Sequence, residues 1–347
     1  MAQPLMANEM VKRRIGAAAQ KLHTANPLEY VGPLLDRSFA GRATDYAANA
    51  LMPGAVPCEP SFSEQEPHLL RFTIEPLGPQ ASPLSRRDEA TREMRRLTGA
   101  LFGRDALRWF DGRSEEWRGV GGSTRLGFGA FFGSAYDEDG LCASKVYYEL
   151  NPGQLEALPG LLKTLVGAAM ESLPSLVPVF TTIRCGRDDG SQRVTFLHRG
   201  SLRLASLGPL LERLGLGHQL PGFMRIAGVA LGGRFDLPER SVVLGLRETG
   251  EGPEVKLEIM LGALPDLPLN FLDLLTLGLA ERPRQLRALR RWLEAFTPDS
   301  LAWPGDFSVL SICATPRTPA RVSLYLRPIE FELRQHIADR YNFDQSN

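Results

Sequence analysis

The chain has 347 residues with a formal net charge of zero, 43% hydrophobic and 23% charged, a balance that lets it bury a large core and excludes a globally basic nucleic-acid binder. Its four cysteines, Cys58, Cys142, Cys185 and Cys313, form no CxxC pair, which excludes a closely spaced zinc-ligand pattern and a dense disulfide scaffold. No apolar run reaches the ~18–20 residues of a bilayer span, and Met1 to Leu22 carry charges without a continuous apolar stretch, so neither membrane nor signal peptide is expected and the compartment expected is the cytoplasm with reduced thiols.

Residues 1–50 read as helical with a break at Pro27, and 51–67, rich in Pro and acidic residues, as a loop. A strand is predicted over Leu69–Pro76. The Pro/Ser stretch Gly78 to Ser85 then leads into a charged helix over Asp88–Leu101. Paired strands follow at Arg125–Phe132 and Ser144–Leu150, joined by the turn-rich Ser134–Gly140, and then a helix over Leu155–Met170. A second pair, Pro178–Cys185 and Arg193–His198, is joined by the turn signal Arg187-Asp188-Asp189-Gly190 and followed by a helix over Leu204–Leu214. A third pair is predicted at Phe223–Leu231 and Ser241–Arg247, with Val255–Leu261 as a further strand. Leu272–Phe296 reads as helix interrupted near Pro283, and the last pair is Phe307–Cys313 with Arg321–Pro328.

The unit of two antiparallel strands and a helix thus recurs along the chain. Hairpin-joined strands argue against a parallel βα barrel. About ten strands with intervening helices can close into one antiparallel barrel ringed by helices, which removes exposed edges. The division expected is a helical segment and loop at 1–68, a barrel at 69–330 and a tail at 331–347.

Side chains alternate across a strand with period two. Arg71, Thr73 and Glu75 share one face, as do Lys145, Tyr147 and Glu149, and Arg321, Ser323, Tyr325 and Arg327; Arg193 and Thr195 continue the theme. The opposite faces are apolar and need helices to cover them. The polar faces line either a lumen or, in an open sheet with one wet face, solvent. His198 and His218 lack ligand spacing and read as structural. Asp188-Asp189 has no second acidic pair after it, and Gly121-Gly122 and Gly232-Gly233 read as turns.

Leu70-Arg71-Phe72-Thr73-Ile74-Glu75-Pro76-Leu77-Gly78-Pro79 resembles the segment around the acceptor-binding glutamate of the dimethylallyltryptophan-synthase family. Lys145-Val146-Tyr147-Tyr148 with Asn151-Pro152 looks like that family's Lys-x-Tyr diphosphate strand. Phe235-Asp236-Leu237-Pro238-Glu239-Arg240-Ser241 is similar to the turn before a later basic strand, and Val322-Ser323-Leu324-Tyr325 to the last tyrosine-bearing strand. These segments run from residue 69 to 328 in order. Two departures stand out. The Lys and Tyr of the family's Arg-x-Lys-x-Tyr strand are missing after both Arg193 and Arg240, and no Lys stands near Phe132, where the family carries a further catalytic lysine.

The resemblance implies an α+β fold, the ten-stranded antiparallel ABBA prenyltransferase barrel, and transfer of a dimethylallyl or geranyl group from its diphosphate to an indole or tryptophan-derived acceptor. Glu75 would orient the acceptor. Lys145 and Arg71 would hold the diphosphate, with Arg86 or Arg87, Arg193 or Arg240, and Arg321 as further cations. Tyr147 and Tyr325 would shield the allylic cation through their π faces. No cofactor is required, Mg²⁺ is not obligatory, and no nucleic acid or membrane partner is implied; the state is a monomer or homodimer. The competing readings are a peptide prenyltransferase on the same barrel and a noncatalytic carrier of hydrophobic ligands.

Overall fold

The computed structural model describes residues 6–118, 126–150 and 152–333. Arg125, Gly121-Gly122, Asn151 and the tail beyond Leu333 lie outside the described residues. In chain order the elements are α1 (Ala7–Leu22), α2 (Leu28–Ser38), β1 (Cys58–Ser63), β2 (Leu70–Ile74), α3 (Pro83–Leu97), α4 (Arg104–Arg118), β3 (Ala130–Asp137), β4 (Gly140–Glu149), α5 (Gly160–Ser172), β5 (Leu176–Gly186) and β6 (Gly190–His198). They continue with β7 (Leu202–Arg203), α6 (Gly208–Arg213), α7 (Leu220–Ala230), β8 (Asp236–Leu237), β9 (Val242–Thr249), β10 (Gly252–Met260), α8 (Phe271–Gly278), α9 (Pro283–Phe296), β11 (Gly305–Ala314) and β12 (Arg321–Pro328).

Ten strands close into one antiparallel barrel in the order β1-β12-β11-β10-β9-β6-β5-β4-β3-β2, while β7 and β8 pair separately. Closure depends on β1, whose Cys58 opposes Ile74 of β2 and whose Ser61 opposes Tyr325 of β12. Without it β2 and β12 would both be open edges.

The outward faces form the core. Phe72, Ile74, Phe132, Val146 and Tyr148 are buried under the helices, each worth roughly 1.5–3 kcal/mol for a fully buried large apolar side chain. The helix α3 begins where Ser82 Oγ accepts the Ser85 N–H at 3.1 Å, with Pro83 in the first turn. From there Thr91 meets the Tyr148 hydroxyl at 2.9 Å, tying the helix to the outer face of β4. On α9, buried Trp292 packs its ring 6.0 Å from Phe62 of β1. Among the described residues no helix is long and apolar enough to cross a membrane.

Four local expectations change. Residues 58–63, within the expected loop, are β1, so the barrel starts before residue 69. The expected strand Phe223–Leu231 lies in α7, and β9 pairs instead with β6 and β10. Arg104–Arg118 forms an unforeseen helix. Strand β3 runs on through Ser134 to Asp137, leaving a tight turn before Gly140.

Candidate active site

Alternation sends one face of each barrel strand inward, polar on β2, β4, β10 and β12, and the register shows which of these residues meet. Glu59, Thr73, Gly133, Lys145 and Arg184 oppose one another in sequence across β1 to β5. A neighbouring row joins Phe131, Tyr147, Thr182, Arg193, Arg247 and Glu254 from β3 to β10. On β10 the next inward residues are Lys256, opposite Cys313, and Glu258, opposite Ser311.

Lys145 fits because its neighbour is a glycine. A Cβ on Gly133 would lie 2.7 Å from Lys145 Cε, so any larger residue displaces the lysine. Its Nζ lies 5.0 Å from the Tyr147 ring centroid, and Tyr147 Oη is 3.4 Å from Thr73 Oγ1. Among the described residues Lys145 makes no ion pair. Burial, then the like charges of Lys256, Arg71 and Arg193, push its pKa well below the usual lysine range. A desolvated amine among like charges holds its proton weakly until an anion joins it. Gly133→Ala is therefore expected to weaken diphosphate binding at least tenfold while costing the fold only about 1–3 kcal/mol of overpacking; calorimetric titration with inorganic diphosphate and a thermal melt check the two halves.

The other cations are partly neutralised from within. Glu254, 2% exposed, pairs with both Arg193 and Arg247, the latter through Nε at 3.1 Å. Burial alone would raise its carboxyl, but the two guanidiniums outweigh this and hold it at about 2. Lys256 Nζ donates to Tyr325 Oη at 2.6 Å and pairs with Glu258, while Tyr325 donates to Glu258 at 3.2 Å. Lys256 Nζ is also 5.1 Å from the Tyr325 ring centroid. Burial pushes the Tyr147 phenol up to about 12. Burial, then Glu258, push Tyr325 well above its ordinary value. Both rings therefore stay neutral and offer π faces to a cation.

At the end of β2, Glu75 is 1% exposed. Its Oε2 accepts the Ala50 and Leu51 N–H groups at 2.7 and 3.0 Å, and Oε1 lies 3.3 Å from Arg86 Nε in an ion pair not aligned as a hydrogen bond. Arg86 Nη2 donates to Pro79 O at 3.1 Å. A carboxylate offers about four acceptor sites, so Oε1 retains capacity for one more donor.

The remaining expected cations scatter. Arg71 faces inward and pairs with Glu66; burial lowers its pKa to about 10. Arg321 shares buried Glu64 with Arg282, at 3.7 and 2.6 Å respectively. Arg87 sits in the α3 turn that carries Thr91 against Tyr148, so of the adjacent pair it is Arg86 that reaches Glu75. Arg240 does not join the lumen: it is exposed at φ 59° just before β9. Its place is taken by Arg193 and by residues the sequence reading passed over, Arg184, Arg247 and Lys256. The alternation Glu254-Val255-Lys256-Leu257-Glu258-Ile259 carries the signal that would have found the last.

No family model and no curated protein matches this sequence. Solved structures do match in shape. The 6-dimethylallyltryptophan synthase from Micromonospora olivasterospora, in complex with DMASPP and Trp, superposes with a TM-score of 0.71 at 17% identity, over 94% of this chain and 99% of that one. The 5-dimethylallyltryptophan synthase from Streptomyces coelicolor gives 0.67 at 17% identity, over 96% and 100%. AnaPT from Neosartorya fischeri gives 0.59 at 13%, over 94% and 92%. With its strand order, closure and ring of helices, this chain has the ABBA barrel fold of the aromatic prenyltransferases.

Proposed function

We propose that the protein is an aromatic prenyltransferase that moves an allylic isoprenoid from its diphosphate to an indole-type acceptor by metal-independent Friedel–Crafts alkylation. The observation that carries this reading is the convergence of Lys145, Arg193 and Lys256 with the Tyr147 and Tyr325 rings inside one closed barrel. The allylic C–O bond breaks with its electron pair leaving on the diphosphate, so the site must stabilise an anion and a delocalised cation at once. Fixed cations in a water-poor lumen serve the first need, and neutral tyrosine faces serve the second. Crystal complexes of the similar synthases with DMASPP and Trp support the donor and acceptor classes. A carrier of apolar ligands has no use for such a set of buried cations.

The fixed cations do the work that a metal ion does elsewhere, so turnover is expected to be unchanged in EDTA. The test is a panel of tryptophan, other indoles and a tryptophan-containing peptide against five-, ten- and fifteen-carbon allylic diphosphates, read by mass spectrometry with and without EDTA. A prenylated indole in EDTA supports the reading. Products only with added Mg²⁺ would overturn the metal-independent part, and prenylation of the peptide alone would move the chain to the peptide branch.

A further inference from the structure

Outside the barrel, α7 and α8 leave a cleft of about 200 Å³ between them. Ile226, Val229 and Ala230 face it from α7 at positions i, i+3 and i+4, Leu275 and Leu279 face it from α8 and its end, and Val322 lines it from the outer side of β12. Gly278, the last residue of α8, also lines the cleft and contributes no side chain to fill it. At the rim an ion pair of exposed side chains, Arg225 with Glu281 at 3.1 Å, bridges the two walls.

One charged group opens into this apolar space. Arg282 lies between α8 and α9, where its N–H donates to Leu279 O at 2.8 Å and the following Pro283 keeps it out of helical geometry, at φ −125° and ψ 68°. That turn brings the guanidinium to the cleft. Nη1 is occupied: it donates to Glu64 Oε1 at 2.6 Å and to Ala320 O at 3.3 Å. Nε and Nη2, which form one planar fork, have no hydrogen-bond partner among the described residues, and the side chain is 17% exposed. The local charge is also unbalanced. Buried Glu64 is shared by Arg282 and Arg321, at 2.6 and 3.7 Å, and its other oxygen accepts the Val322 N–H at 2.9 Å. Two guanidiniums against one carboxylate leave one positive charge. Burial, then Arg282, lower the pKa of Arg321, as such an excess should.

We propose that the α7–α8 cleft is a second ligand site, which binds a small monocarboxylate through the Arg282 fork and seats its compact apolar group between the helices. Three features fix the class. A planar carboxylate matches the parallel Nε–H and Nη2–H donors as a bidentate pair. Its single charge balances the one in excess, whereas a phosphate dianion would bring a second negative charge beside Glu64 and Glu281. An engineered cavity of about 150 Å³ lined by Leu, Ile and Phe takes benzene, so this cleft suits one ring or a short branched chain. The site lies outside the lumen and is independent of the prenyl-transfer reading.

The probe is phenylacetate, titrated calorimetrically into the full chain beside benzyl alcohol, which lacks the charge, and acetate, which lacks the ring. Phenylacetate should bind, and the other two should bind roughly tenfold or more weakly. Arg282→Met should weaken phenylacetate to the level of benzyl alcohol. Gly278→Leu tests the cleft without touching a charge, and it carries the test alone should Arg282→Met fail to fold. A Cβ on Gly278 would meet Val229 Cγ1 at 3.5 Å, an ordinary contact, so leucine fills the space between the helices and should abolish binding. Lys145→Met, in the lumen, should leave binding unchanged. No binding by the unsubstituted chain, equal binding of benzyl alcohol, survival of binding in Gly278→Leu, or its loss in Lys145→Met overturns the proposal. So does self-association of the chain that is abolished by Leu277→Glu, at a position 67% exposed beside the cleft, because the occupant is then a second copy.

Discussion

Lys145→Met is expected to lower prenyl transfer on the order of 10²–10³-fold while leaving the barrel at least as stable as before. The two halves have one cause. In the lumen the ammonium is desolvated and faces Lys256, Arg71 and Arg193, so its pKa is well below the usual lysine value. The folded chain therefore holds that proton less tightly than the unfolded chain. The group's contribution to stability is complete above the ordinary lysine value and is lost as pH falls through the lowered one. Methionine removes this loss, so the variant's advantage in a melt should grow as pH falls. An incoming diphosphate reverses the balance by supplying the missing negative charge, so donor binding should take up a proton and weaken as pH rises. Calorimetry in buffers of different ionisation enthalpy measures that uptake. A Lys145→Met protein that is less stable and fully active would assign the lysine to packing.

Glu75→Gln is expected to lower kcat on the order of 10²–10³-fold with only a modest change in acceptor KM. Glutamine keeps the shape and still accepts hydrogen bonds through its oxygen. It loses the charge that would support a ring becoming cationic in the transition state. Glu75→Ala should do more, because the structure gives the carboxylate a second task. It holds the Ala50 and Leu51 N–H groups and neutralises buried Arg86, and removing one partner of a buried pair costs about 3–5 kcal/mol. A melt separates the two tasks: Glu75→Gln should lose more activity than stability, and Glu75→Ala should lose both. Full kcat in Glu75→Gln with an indole acceptor would leave Glu75 a purely structural role.

Much of the barrel can be read from the sequence because period-two alternation is strong where one face is wet and the other is covered. Arg71/Thr73, Lys145/Tyr147, Arg193/Thr195 and Ser323/Tyr325 all keep the inward parity that their spacing implies. Two elements were hidden for physical reasons. Pro60 within Cys58–Ser63 reads as a loop residue, yet β1 accommodates it between β2 and β12. The apolar run at Phe223–Leu231 is too short for its period to separate helix from strand; Pro221, favourable in a first helical turn, is the better signal there. The site was less legible than the fold. Which cations meet depends on register between strands far apart in sequence, such as β6 with β9, and no local motif encodes that Arg193 and Arg247 share Glu254.

The proposed reaction requires the lumen to hold a diphosphate against Lys145. Titration calorimetry with inorganic diphosphate and with a non-ionising dimethylallyl thiolodiphosphate, in EDTA, tests it directly. The unsubstituted protein should bind both ligands and take up a proton on binding. In Lys145→Met, by contrast, affinity should fall at least tenfold and the proton uptake should disappear. Equal affinity in the two proteins, or no binding of either ligand by the unsubstituted chain, would contradict it.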